Sequence, residues 1–113
     1  MADTHRSKIE LNIELDENKI PETLSWTAED GGVADAATKA MLLSIWEPEE
    51  KETLSIDLWT KDMPVDEMKL FFHQTLVRMA STFEKATQET EISGRMRDFA
   101  AYFAEQLKLY DER

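Results

Sequence analysis

The chain carries two hydrophobic rhythms, and one gives way to the other across a single proline. Leu54, Ile56 and Leu58 alternate with Ser55, Asp57 and Trp59, the period-two pattern of a strand with one face in a core. Beyond Pro64 the apolar positions become Val65, Met68, Phe72, Leu76, Met79 and Phe83, which share one arc of an α-helix at about 100° per residue. The spacing predicts a strand that feeds directly into a long helix over 64–88. Pro64 suits the first helical turn, where its missing N–H has no partner to lose, and Asp66 and Glu67 complement the positive end of the helix dipole.

The strand rhythm recurs upstream. Ile9, Leu11, Ile13 and Leu15 alternate with Glu10, Asn12, Glu14 and Asp16, which predicts a strand with one wet face, closed by the polar run DENK and Pro21. A second strand follows over 22–28, with Leu24, Trp26 and Ala28 on one side. The segment AEDGGVADA carries Asp-Gly-Gly punctuation and reads as a turn longer than a tight hairpin. Met41, Leu43 and Ile45 against Leu42, Ser44 and Trp46 give a third strand over 37–46, and EPEEKE turns it into the fourth, a hairpin over 39–60. Trp46 and Trp59 then lie on the face opposite the aliphatic side chains, where they could be cross-strand neighbours.

The first helix is apolar over a wider arc than one contact requires, since Leu70, Val77 and Ala80 flank a second face. That face needs a cover. One candidate is a second helix over 92–110 with its stripe of Met96, Phe99, Phe103, Leu107 and Tyr110; the other is a second copy of the chain. The connector ATQETEIS is short and polar, as an antiparallel helix pair needs. The expected fold is therefore α+β: a four-stranded antiparallel sheet followed by two C-terminal helices packed on it, in the order ββββαα. Residues 1–7 are expected to be a flexible N-terminus and residues 8–110 a single domain.

Composition narrows the functional classes. A chain of 113 residues holds one thin core, and oligomerisation is a natural remedy. With no cysteine, disulfides and thiolate sites are excluded. No apolar leader opens the sequence and no apolar run approaches the roughly 18 residues of a membrane span, so a cytoplasmic protein is expected. The 24 acids against 13 bases argue against a nucleic-acid backbone as partner, because phosphate binding relies on clustered Lys and Arg. The excess is uneven: 15 acids against 6 bases up to Asp62, then 9 against 7 from Met63 onward.

Candidate chemistry is sparse. His73 could act as a general base oriented by Asp66, but no nucleophile or third ligand stands at helical spacing beside it, and a histidine at the border of core and water is the better reading. His5 belongs to the expected flexible terminus and supplies no preorganised zinc ligand. Glu47, Glu49, Glu50 and Glu52 surround a turn without the glycine and ligand spacing of a calcium loop. Asp30-Gly31-Gly32 lacks the Lys-Ser/Thr of a phosphate loop, and Arg95 and Arg97 are expected to pair with nearby carboxylates. No catalytic residue, cofactor or metal is expected, and the protein reads as a non-enzyme. A functional case rests instead on Trp46, Trp59, Leu70 and Val77 as a protein interface, with methionines as adaptable packing.

The runs KAMLLSIW, ETLSIDLWTKDMPVDEMKLFFHQTLVRMASTFEKATQ and MRDFAAYFAEQLKL, with IELNIELDENKIPETLSWTAEDGG near the start, resemble the gliding-motility protein GldC family of the Bacteroidetes. The match runs in order over residues 8–109. It implies a small cytoplasmic accessory protein of the gliding machinery, linked to type IX secretion, whose partners are motility or secretion proteins. The family offers no catalytic motif or cofactor to carry over. The predicted topology is also similar to that of the export chaperone SecB, an analogy of fold without a shared motif. It implies a homo-oligomer that holds extended segments of motility proteins destined for type IX secretion.

Overall fold

The computed structural model describes residues 3–111 and divides into two compact units, Met1–Met63 and Pro64–Arg113. Among the described residues there are five strands followed by two helices. The strands are β1 (Ile9–Leu15), β2 (Pro21–Ala28), β3 (Val33–Thr38), β4 (Ala40–Glu47) and β5 (Glu52–Trp59). The helices are α1 (Val65–Thr87) and α2 (Thr90–Gln106). Of the expected flexible terminus, Met1 and Ala2 lie outside the described residues; residues 3–8 have no regular structure.

The strands form two sheets rather than the single four-stranded sheet that alternation predicts. One is three-stranded and antiparallel, in the order β1-β2-β3; the other is the β4-β5 hairpin. The additional strand is β3, whose sequence VADAAT lies within and just beyond the segment read as a turn. Its alanines have little strand propensity, and its rhythm is broken by a bulge: Trp26 faces Ala36 and Ala28 faces Val33, leaving Thr27 opposite both Ala34 and Asp35. Asp35 takes up a positive φ of 45° there, and its N–H donates to Oγ1 of Thr27 at 2.9 Å. The glycines upstream serve backbone geometry: Gly32, at φ 75°, closes a 3-10 turn by donating to the carbonyl of Glu29 at 3.1 Å.

Only Lys39 separates β3 from β4, so the chain changes sheets within one residue. The Lys39 carbonyl accepts from the N–H of Thr60 at 2.9 Å, just beyond the end of β5, and Thr60 is buried. The β1–β2 turn is pinned from the same region. Asp16 Oδ1 accepts the N–H groups of Asn18 (2.8 Å) and Ile20 (3.0 Å), while Oδ2 pairs with Nζ of Lys61 at 2.5 Å. These contacts favour the ionised carboxylate. The Lys61 ammonium first, and then the Ile20 N–H, hold Asp16 below the usual carboxylate range.

In the helical unit, α1 and α2 form an antiparallel hairpin. The second helix ends earlier than its apolar stripe suggests, with residues 107–110 in turns. α1 closes at Gln88, which adopts φ 58° and donates its N–H to the Glu84 carbonyl at 2.8 Å. Small side chains set the approach of the helices: Ala80, Ser93 and Ala100 are at most 1% exposed. Ala80 precedes Glu84 by one turn and Ala100 follows Ser93 by two, so they extend the contact that Glu84 and Ser93 mark. This contact supplies the cover expected for Ala80.

Candidate interaction surfaces

Pairing in the β4-β5 ladder separates the two faces of the hairpin. Met41, Leu43 and Ile45 face Leu58, Ile56 and Leu54, and the other face carries Ala40 with Trp59, Leu42 with Asp57, Ser44 with Ser55 and Trp46 with Thr53. Both indoles therefore lie on the face opposite the aliphatic row. They are not cross-strand neighbours. Trp46 stands beside the turn and Trp59 at the open end, about 20 Å apart along the strands at the usual rise per residue. They are 60% and 55% exposed respectively. The aliphatic face is no sealed core either, since Ile45, Leu54 and Ile56 are exposed and Leu58 is half-buried.

The same openness holds along β1. Ile9, Leu11, Ile13 and Leu15 line one face and remain exposed, although their partners on β2 include buried Leu24 and half-buried Trp26. Sequence alternation locates this row but not its exposure. An edge strand has a neighbour on one side only, so half of its apolar flank stays uncovered.

On α1, Leu70 is half-buried and Val77 is 40% exposed. Val77 lines a shallow groove of about 510 Å³ with His73, Gln74, Arg78, Ser81, Thr82 and Lys85. Apart from Val77, its lining residues carry polar or charged side chains. His73 is held through Nδ1 by the Tyr110 hydroxyl at 2.9 Å, with the two rings edge to face at 5.2 Å. Its neighbour is thus a phenol from beyond α2, a partner that helical spacing within α1 alone could not reveal. His5 pairs with Asp30 at 3.0 Å, and Arg97 pairs with Glu84 at 2.9 Å as expected for a base beside a carboxylate.

A second cleft, of about 280 Å³, lies within the strand unit and is lined by Glu22, Thr23, Leu24, Ala37, Thr38, Lys39, Thr60 and Asp62. The Thr60 hydroxyl donates to Oδ1 of Asp62 at 2.6 Å and holds its carboxyl below the usual range. That bond orders the turn into the segment after β5. Among the described residues no group of three or more His, Asp or Glu side chains is gathered as metal ligands, and no helix is long and apolar enough to cross a membrane.

A further apolar surface runs along one flank of the helical hairpin. Val65, Phe72 and Met79 of α1 and Ile92 and Phe99 of α2 are between 42% and 71% exposed. Periodicity places the first three on α1's main stripe but does not reveal their exposure, since Leu76 and Phe83 repeat the same seven-residue interval and are half-buried.

Searches among curated proteins and among solved structures returned no match. A family model described as gliding motility-associated protein GldC-like matches residues 21–109, from the first residue of β2 through both helices. The matched span includes Trp46, Trp59 and the whole helical hairpin, and on this ground the chain belongs to the GldC-like family of gliding motility-associated proteins.

Proposed function

We propose that this protein is a cytoplasmic accessory component of the gliding motility machinery that works by contact with other proteins and catalyses no reaction. Family membership supports the link to motility. The observation that carries the mode of action is the pair of indoles left in water on one face of the β4-β5 hairpin. Indole is costly to expose and is favoured where a partner covers it, because it brings large apolar area with few rotatable bonds. Leu70 and Val77 on α1 form a second, smaller contact region on this reading.

A gliding strain lacking the gene supplies the test. Complementation with a Trp46→Ala/Trp59→Ala double variant, checked for its fold by circular dichroism, is expected to leave the cells non-gliding. Full gliding would overturn the assignment to the indole face. A His73→Ala variant is expected to glide normally, and loss of motility with the fold retained would reopen the catalytic alternative.

A second reading is a SecB-like holder or adaptor for motility proteins on their way to type IX secretion. The open aliphatic row of β1 favours it, because an extended client segment can lie along an apolar edge strand. Purified protein at stoichiometric ratio is then expected to slow aggregation of an unfolded client. Absence of any effect at every ratio would remove this reading.

A further inference from the structure

Val65, Phe72 and Met79 follow one another at seven-residue intervals along α1, and Ile92 and Phe99 repeat the interval on α2. Seven residues are nearly two helical turns, so each set forms a row almost parallel to its helix axis. In an antiparallel hairpin closed through Ala80, Ser93 and Ala100, both rows project on the same flank. Helical geometry puts no carboxylate on that flank; Asp66, Glu67, Glu84, Glu91, Asp98 and Glu105 all fall elsewhere on their wheels. Rows of this spacing fit the surface of another helix, where each side chain enters a gap between four residues of the facing one.

We propose that this flank is the self-association surface of the protein, and that its occupant is the same flank of a second copy, giving a four-helix arrangement about a two-fold axis. Charge favours a copy. The segment up to Asp62 carries 15 acids against 6 bases and would repel itself, whereas the segment from Met63 has 9 against 7 and meets its own kind at little electrostatic cost. Area agrees. At their observed exposure the five side chains leave on the order of 500 Å² of apolar surface in water, and a polar rim completes the ~800 Å² that each partner contributes to a standard interface. A two-fold contact also uses one surface for both partners, so a single exposed seam suffices.

Light scattering during gel filtration of the full chain, across a dilution series, tests the proposal. The wild type is expected to run at twice the 13.1 kDa chain mass and to dissociate on dilution. Met79→Glu and Phe99→Glu, which place like charges on the seam, are expected to give monomers with unchanged far-ultraviolet circular dichroism. Met79→Leu, which keeps the apolar volume, is expected to remain a dimer, as is Val77→Glu, whose position lies off the seam. A wild-type monomer at every accessible concentration would overturn the inference. So would a dimer that survives Met79→Glu and Phe99→Glu but is lost in Val77→Glu.

Discussion

The hydroxyl of Ser93 donates to Oε1 of Glu84 across the helical hairpin at 2.6 Å, and Nη1 of Arg97 donates to the same oxygen at 2.9 Å. The Ser93 hydroxyl first and the guanidinium second hold Glu84 below the usual carboxylate range. A carboxyl whose pKa is lower folded than unfolded stabilises the fold above its unfolded value, about 4.3, and loses that contribution as pH falls through the folded value. Acid unfolding followed by circular dichroism between pH 7 and pH 2 is therefore expected to be less pH-dependent in Glu84→Gln than in the wild type. An unchanged pH dependence would contradict the assignment.

Asp16 offers a site-resolved version of the same logic. Its carboxylate is stabilised by Lys61 and by two backbone N–H groups. In Lys61→Met the Asp16 pKa, measured by carbon-detected magnetic resonance, is expected to rise toward the ordinary value without reaching it, because the Ile20 and Asn18 donors remain.

The small residues between the helices make a prediction about packing. Ala100 is 1% exposed, so Ala100→Leu has no room for its added carbons and is expected to destabilise by about 1–3 kcal/mol. Urea unfolding monitored by helical signal measures this. Ala101→Leu, at a neighbouring exposed position, should cost far less.

The turn between β4 and β5 holds Lys51 at φ 57°, a left-handed conformation that disfavors a side chain. Lys51→Gly is expected to stabilise the protein by about 0.5–1 kcal/mol, the relief of strain exceeding the added chain entropy. Lys51→Ala should give no such gain in the same thermal unfolding experiment.

Most of the secondary structure is legible where side-chain period and breaker residues agree. Pro64, with the shift of apolar spacing from two to between three and four, places the strand-to-helix change to within a residue or so of its observed position. β3 is hidden because Asp35 sits in a bulge, so the apolar and polar sides do not alternate through VADAAT. Without β3 the alternation reads as one sheet where the chain forms two. Parity alone assigns the indoles to their face, but their separation depends on hairpin register, which puts Thr53 opposite Trp46 and Ala40 opposite Trp59. Tyr110 as the partner of His73 was equally out of reach, since the contact joins residues 37 positions apart.

The passage from β3 to β4 through Lys39 alone has a mechanical consequence. Adjacent Cα atoms are held about 3.8 Å apart by the trans peptide, so the junction has no slack to pay out. Tension applied along β4 passes straight into β3 and, through its ladder, into β2, while the Thr60 N–H on the Lys39 carbonyl clamps the joint against slipping. A tug on the tryptophan-bearing hairpin is thus shared by the three-stranded sheet, which resists as one piece.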